Sequence, residues 1–249
     1  MIHYHGTPCG ATREDVARFL KNRHALISFF RPEDIGTAAE VCQSFCIDNG
    51  AFSAWKQNQA IDWQAYYKFV SEWEKHPAFD WAIIPDVIDG TETENDDLVG
   101  AWEVLFGRTF GVPVWHMHES MDRLYWLSSE WPRIAIGSSG EYATVGNDKW
   151  WRRMSEAMNR VCEGGKPRCK IHGLRMLDPS VFTALPLASA DSTNAVRNSS
   201  SYSRFGMYTP PNASTRMAII AERIEAHQSA ALWIAPPIQQ KFDLFGESL

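Results

Sequence analysis

Residues 45–52, which read FCIDNGAF, contain the unit from which the whole chain is built. An apolar run, residues 45–48, ends in an aspartate and is followed by a polar turn. In the segment beyond, apolar residues recur every three or four positions, as an amphipathic helix requires: Trp63, Tyr66, Tyr67, Val70 and Trp73. This stretch therefore predicts a strand, a turn and a helix in succession.

The same alternation extends over most of the chain. Eight short apolar runs are separated by segments with helical periodicity, at residues 2–5, 26–30, 45–48, 81–86, 114–118, 134–137, 169–174 and 187–191. Strands that alternate with helices are typical of a parallel sheet in an α/β protein. Eight such units predict a (β/α)₈ barrel, and a doubly wound open sheet is the alternative.

The composition is that of an ordinary globular protein and excludes several other classes. Of the 249 residues, 45% are hydrophobic and 22% are charged, which excludes a disordered or fibrous chain. No apolar run approaches the ~18 residues of a membrane span, and the first residues lack a signal-peptide pattern, so we expect a cytoplasmic protein with no membrane partner. Five widely spread cysteines argue against a disulfide framework. The net charge of −6 gives no global basic surface, so contacts with nucleic acid would be local or supplied by a protein partner.

The chain is expected to form one domain. Residues 1–235 are assigned to the barrel, and residues 236–249 to a C-terminal extension. Within the barrel, residues 198–214 are rich in serine, contain Pro-Pro and lack a clean period, which predicts a long loop. Long ordered loops are often functional.

Aspartates end three of the predicted strands, at Asp48, Asp86 and Asp191. In a barrel the chemistry is at the carboxyl ends of the strands. A single aspartate after a strand is usually a helix cap or a turn residue, but three of them would converge on one pocket. Two carboxyl groups in one pocket can divide the roles of nucleophile and general base when their environments push their pKa values apart.

Histidines and small residues follow the other predicted strands. His116 and His118 lie two apart, so on a strand they face the same side, which suits a metal. The alternative is that one of the two is hydrogen-bonded in the core and the other binds substrate. Gly137-Ser138-Ser139-Gly140 is a turn where the backbone can approach a ligand closely. A metal-dependent hydrolase of the amidohydrolase type, with His116, His118, His172 and Asp191 as ligands, is therefore an alternative. Such enzymes place the His-x-His pair on the first strand, whereas here it is on the fifth.

Taken in order, these strand ends resemble the motifs of the queuine/archaeosine tRNA-guanine transglycosylase family. The resemblance covers residues 28–198 and implies a (β/α)₈ fold. Residues 48–52 resemble the family's Asp-Ser-Gly-Gly-aromatic motif, and residues 134–141 resemble a shortened form of its Ile-Gly-Gly…Gly-Glu turn. Asp191 is followed six residues later by Arg197, which is the spacing around the family's nucleophile.

The resemblance implies a role for each matched position. Asp191 would be the nucleophile and Asp48 the general acid and base. The base would be held by Phe52, Asp86, His116, His118, Gly137, Ser138, Ser139 and His172, with His172 in place of a methionine that covers the base. Arg197 and Arg204 are candidates for contact with the nucleic acid backbone.

The departures from the family pattern bear on the substrate. The tRNA enzymes carry a Cys-x-Cys-x-x-Cys…His zinc site after the barrel, and the sequence has no such motif. This favours the shorter relatives, from bacterial modification clusters and viruses, that insert 7-deazaguanines into DNA, with tRNA as the second choice. The implied reaction replaces guanine with a 7-deazaguanine such as preQ0 through a covalent Asp191 intermediate, and we expect no cofactor and no metal. A non-catalytic base-binding subunit that pairs with an active homologue is a further alternative.

Overall fold

The computed structural model describes residues 1–235, and the predicted extension at residues 236–249 lies outside the described residues. Eight parallel strands form the centre of the molecule. They are β1 Ile2–Gly6, β2 His24–Ser28, β3 Ser44–Asp48, β4 Phe79–Ile83, β5 in two segments (Gly111–Val112 and Val114–His116), β6 Arg133–Gly137, β7 Lys170–Gly173 and β8 Ser189–Ser192.

The strands close almost completely into a barrel. β1 pairs in parallel with both β2 and β8, so it is an interior strand of a continuous sheet. The first segment of β5 pairs with β4 and the second with β6. Pro113 separates the two segments because it lacks an amide hydrogen for the ladder. The predicted (β/α)₈ barrel is therefore confirmed, and the open-sheet alternative is excluded.

Helices surround the barrel and connect its strands. They are α1 Arg13–Leu20, α2 Ile35–Val41, α3 Ala51–Lys56, α4 Trp63–Trp73, α5 Glu92–Phe106, α6 Met121–Glu130, α7 Asp148–Val161, α8 Pro179–Phe182, α9 Asn194–Asn198 and α10 Ala213–Glu225. Local sequence sets several starts: Thr91 and Glu94 form a reciprocal capping box at α5, and Asp178 caps α8 ahead of Pro179. The loop predicted at residues 198–214 contains a 3₁₀ turn, Tyr202–Phe205, and ends as α10 begins.

The barrel has two apolar cores. The larger core lies between the helices and the outer face of the strands. The smaller core fills the barrel interior with Tyr4, Leu26, Cys46, Trp81, Ile83, Val112, Val114 and Ala135. Because these side chains occupy the interior, a cavity can open only above them, at the ends of the strands. Among residues 1–235, no helix combines the length and apolar character that crossing a bilayer requires.

Candidate active site

A cavity of about 460 Å³ opens at the carboxyl ends of the barrel strands. Its volume lies within the ~300–1,000 Å³ range of small-molecule sites. Nine of the twelve site residues predicted from the sequence line it: Asp48, Phe52, Asp86, His116, Gly137, Ser138, Ser139, Asp191 and Arg197. The barrel therefore brings together residues from five strand ends that are far apart in the sequence.

A tight turn after β3 sets the first wall of the pocket. Gly50 has a φ of 80°, and a Cβ at this position would lie 2.7 Å from the Cβ of Phe30. The Gly50 amide donates to Asp48 Oδ2 at 3.1 Å. The chain then enters α3, and Phe52 and Lys56, one helical turn apart, both face the pocket. Lys56 was not predicted as a pocket residue, although its position four residues after Phe52 places it on the same face of a helix.

Asp48 has an environment suited to proton transfer near neutral pH. Burial, followed by the neighbouring carboxylates of Asp191 and Asp86, raises the pKa of Asp48 to about 7. Burial disfavours the charged form, and like charges add to that cost. At neutral pH this carboxyl can therefore both donate and accept a proton.

Asp191 is held by two hydrogen bonds that converge on one oxygen. Its Oδ1 accepts from the backbone N–H of Arg175 at 2.9 Å and from Nε2 of His172 at 3.2 Å. Burial lowers the pKa of His172, so its ring is neutral at pH 7. Because a carboxylate only accepts, Nε2 carries the proton, and Nδ1 accepts from the Ser189 hydroxyl at 2.9 Å. A neutral partner orients Asp191 without cancelling its negative charge.

The position of His172 corrects the expectation that it contacts the base. Its side chain is fully buried and does not line the pocket. It points into the barrel, where its ring centroid lies 4.7 Å from that of Trp81. Side chains on a strand alternate between faces, and His172 lies below the floor of the cavity among the side chains that fill the barrel. Leu174 and Arg175, which follow β7, line the pocket in its place.

Asp86 is fixed on the opposite wall by two donors. Its Oδ2 accepts from His116 Nε2 at 2.7 Å, and its Oδ1 accepts from the Asn49 side-chain amide at 2.6 Å. Burial alone would lower the pKa of His116, but hydrogen bonds to Asp86 and Glu119 outweigh it and raise the pKa to about 9. His116 is therefore an imidazolium at neutral pH. Both ring nitrogens donate to carboxylates, so it positions Asp86 rather than donating to a base itself.

A buried network behind His116 keeps this wall rigid. Glu119 Oε2 accepts from the His116 amide at 2.8 Å and from Arg123 Nη1 at 2.6 Å, and its Oε1 accepts from Asn95 at 3.0 Å. Burial raises the pKa of Glu119, but the cations of His116 and Arg123 bring it below its usual value. The sequence analysis did not identify this network, because its members come from α5, α6 and the end of β5.

Of the two histidines at the end of β5, His116 lines the pocket and His118 does not. The His118 side chain is exposed, and its Nδ1 lies 2.8 Å from the Ser139 hydroxyl. The expectation that His116 and His118 face one side holds only within a strand, and β5 ends at His116. Past that point the chain turns and directs His118 outward.

Arg175 is the main pocket residue that the sequence analysis missed. Its guanidinium carbon lies 4.0 Å from the centroid of the Phe52 ring, and its Nη2 donates to the Ser138 carbonyl at 2.7 Å. Burial lowers the pKa of Arg175, while Asp191 and Asp48 act in the opposite direction. The Arg175 guanidinium lies over the face of the Phe52 ring in a cation–π contact. Its position just after β7 could have identified Arg175 as a pocket residue from the sequence. Its backbone φ of +59°, which the sequence does not reveal, could not have been predicted.

The two arginines predicted to contact a nucleic acid backbone occupy different places. Arg197 lines both the pocket and a neighbouring groove, whereas Arg204 lines the groove but not the pocket. Ser192 and Thr193 are also shared by the two cavities. The groove is therefore a continuation of the pocket along the molecular surface.

The ligands required by the hydrolase alternative do not converge. His118 is exposed, His116 donates to two carboxylates, and His172 lies below the pocket. In the described part of the chain, no three His, Cys, Asp or Glu side chains are grouped so that they could hold a metal ion.

Comparisons with known proteins do not identify a family for the chain. No protein-family model, no curated protein and no solved structure matches the chain. The case for a function therefore rests on the geometry of the pocket and on the resemblance of the strand-end motifs.

Proposed function

We propose that the protein is a base-exchange transglycosylase that replaces guanine in DNA with a 7-deazaguanine such as preQ0. The observation that carries this proposal is that Asp48 and Asp191 line one pocket in contrasting environments. Asp48 has a pKa raised to about 7, whereas Asp191 is oriented by a neutral histidine and a backbone amide. Contrasting carboxyl groups of this kind divide the roles of acid/base and nucleophile.

The first displacement removes guanine from the sugar. An enzyme that acts on a base must first take the nucleotide out of the helical stack. A carboxylate oxygen of Asp191 then attacks C1′, and the C1′–N9 bond breaks with its electron pair going to the base. Protonated Asp48 donates a proton to the departing guanine. The product is a covalent glycosyl-enzyme, as in retaining glycosidases.

The second displacement reverses these steps with a different base. The incoming 7-deazaguanine loses its N9 proton to the Asp48 carboxylate, N9 attacks C1′, and the bond to Asp191 breaks. Two inversions give net retention at C1′. Atoms and electrons balance, because one base and one proton leave as another base and another proton enter.

The remaining pocket residues suit recognition of a guanine-like base. Asp86 is a fixed acceptor for N–H groups on the Watson–Crick edge, because Asn49 and His116 hold it in place. The strand-end backbone at Gly137, Ser138 and Ser139 supplies further polar groups. A base that stacks on the Arg175 guanidinium, or on the face of Phe52 that Arg175 leaves open, would gain further contact.

A base-exchange assay tests this proposal directly. Radiolabelled guanine or preQ0 is incubated with the protein in three separate reactions, which contain double-stranded DNA, single-stranded DNA or tRNA. We expect label to enter DNA, and to be lost with Asp191→Ala and Asp48→Ala. Asp89→Ala, which removes an exposed carboxylate outside the pocket lining, is the matched control.

The outcomes separate the hypotheses. Label in tRNA alone would keep the mechanism and change the polymer. Label that survives Asp191→Ala would overturn the assignment of the nucleophile. Failure of the wild-type protein to label any polymer would overturn the transglycosylase proposal.

A further inference from the structure

Exposed apolar side chains lie close in sequence to cations that line the pocket or the groove beside it. Met207 is completely exposed, at 107% of the reference area, and Tyr208 is 73% exposed. Trp55, on α3 next to the pocket-lining Lys56, is 49% exposed. Single apolar residues on a surface are ordinary, so their location must decide whether they have a role.

The segment that carries Met207 and Tyr208 is tethered at both ends. The Arg204 carbonyl accepts from Arg223 Nη1 at 2.9 Å, and the Pro210 carbonyl accepts from Arg216 Nη1 at 2.8 Å. Both donors belong to α10. The chain between the tethers therefore forms a short anchored projection, and its two large side chains point into solvent.

The cationic groove lies at the base of this projection. Arg197 and Arg204 line the groove, and Arg197 also lines the pocket. The groove contains one carboxylate, Asp178, whose Oδ1 already accepts from the Ser180 amide and hydroxyl. Only two residues separate Arg204 from Met207, so their Cα atoms are at most ~11 Å apart. Met207 is therefore within reach of a duplex whose phosphate backbone lies along the groove.

We propose that residues 207–208 form a wedge that enters the base stack of double-stranded DNA where the target guanine has been extruded. The inference rests on the proposed function, since only extrusion of a base creates the gap. Apolar side chains such as methionine, inserted between base steps, are an established way to hold a duplex unstacked. Methionine suits an irregular gap because its side chain is long and flexible. A single strand has no such gap, so the wedge identifies duplex DNA as the substrate form.

The first test measures unstacking without catalysis. Duplexes that carry 2-aminopurine beside a guanine, in each of four flanking contexts, are titrated with the protein and followed by fluorescence. Wild type is expected to raise the fluorescence, and Met207→Ala to need about tenfold to a hundredfold more protein for the same rise. The matched control is Val104→Ala, which shortens an 87% exposed side chain near the end of α5, on the opposite side of the barrel.

The second test compares base exchange in duplex and single-stranded DNA. Met207→Ala is expected to lose exchange on the duplex by a similar factor and to keep wild-type exchange on the single strand. Equal losses on both forms, or no loss on either, would overturn the wedge.

The two tests separate failure of the wedge from failure of the proposed function. A fluorescence rise that depends on Met207, with no label entering any polymer, keeps the wedge and overturns the transglycosylase. Absence of a rise with wild type, or an equal rise with Met207→Ala, overturns the wedge whatever the labelling shows.

Discussion

Two buried histidine–aspartate pairs face each other across the pocket, and they differ in charge. His116 lies between the carboxylates of Asp86 and Glu119, and its pKa is raised to about 9. His172 lies between Asp191 and the hydroxyl of Ser189, and burial lowers its pKa. One ring is therefore an imidazolium at neutral pH and the other is a neutral imidazole.

The difference follows from the number of carboxylates around each ring. Desolvation disfavours the charged form of both histidines, and one carboxylate does not offset it at His172. At His116 the second carboxylate reverses the balance. The charged His116 forms an ion pair with Asp86 and fixes it for recognition, whereas the neutral His172 orients Asp191 without forming an ion pair with it.

The largest expected fall in the rate of base exchange comes from replacing the nucleophile, Asp191. Asp191→Asn keeps the shape of the side chain but cannot form the glycosyl ester, so exchange should fall by about 10⁴-fold. Incubation with DNA while the acceptor base is withheld should give a covalent adduct with wild type and none with the variant, as measured on denaturing gels.

Asp86→Asn is the matched change on the recognition side. It should raise KM for the base but still allow the adduct to form, because Asp86 does not bond to the sugar in the proposed mechanism. Equal adduct yields from Asp191→Asn and wild type would show that Asp191 is not the nucleophile. The proposed difference in role between the His172–Asp191 and His116–Asp86 pairs would then be wrong.

Asp48→Asn should cause the next largest fall in the rate of base exchange, because it removes the carboxyl group that donates and accepts the proton. General acid–base catalysis contributes about 10²–10⁴-fold, so exchange should fall within that range. The wild-type rate should peak near pH 7, where Asp48 is present in both protonation states. The variant should lose this peak, and a wild-type rate that stays flat between pH 5 and 9 would contradict the role of Asp48.

The stability of the same variant checks the raised pKa. An unfolded aspartate ionises near its ordinary pKa, whereas Asp48 in the fold ionises at about 7, so stability declines as the pH rises between these values. Asp48→Asn removes that decline. Its melting temperature should therefore exceed that of wild type by more at pH 8 than at pH 4.

The barrel and the residues at its strand ends could be predicted from the sequence because both depend on local patterns. Each strand is a short apolar run, and the residue that closes it lies at the open end of the barrel whatever the rest of the chain does. This is why Asp48, Asp86 and Asp191 were identified as one set and now line one cavity.

The charge states and the support of the site could not be predicted in the same way. His172 and His118 were placed in the pocket by their distance from a strand end, but one points below it and the other points outward. The charge of His116 depends on one carboxylate past β4 and another past β5, and so on three-dimensional packing. Arg175 reaches Phe52 from a positive φ that its sequence does not signal.

His116→Gln should destabilise the fold by about 3 kcal/mol, because it leaves two buried carboxylates without the cation between them. His116 has a folded pKa above its unfolded value, so its contribution is complete below pH 6.5 and is lost as the pH rises through about 9. The stability gap between wild type and variant, measured by urea unfolding, should therefore be larger at pH 6 than at pH 9.5. A gap that grows with pH would show that the ring is neutral in the fold.

The smallest expected effect is at His172, which orients Asp191 without touching the substrate. His172→Leu removes the donor to Asp191 Oδ1, while the Arg175 amide remains, so kcat should fall by about tenfold, as loss of one of two orienting hydrogen bonds implies. KM should stay the same, because His172 does not line the pocket. His172→Gln can still donate from its amide and should recover most of kcat. Two results would contradict this role: a raised KM in His172→Leu, or a His172→Gln variant that melts like wild type but does not recover kcat. Either result would mean that the His172–Asp191 pair is structural and that the contrast between the two histidines has no catalytic consequence.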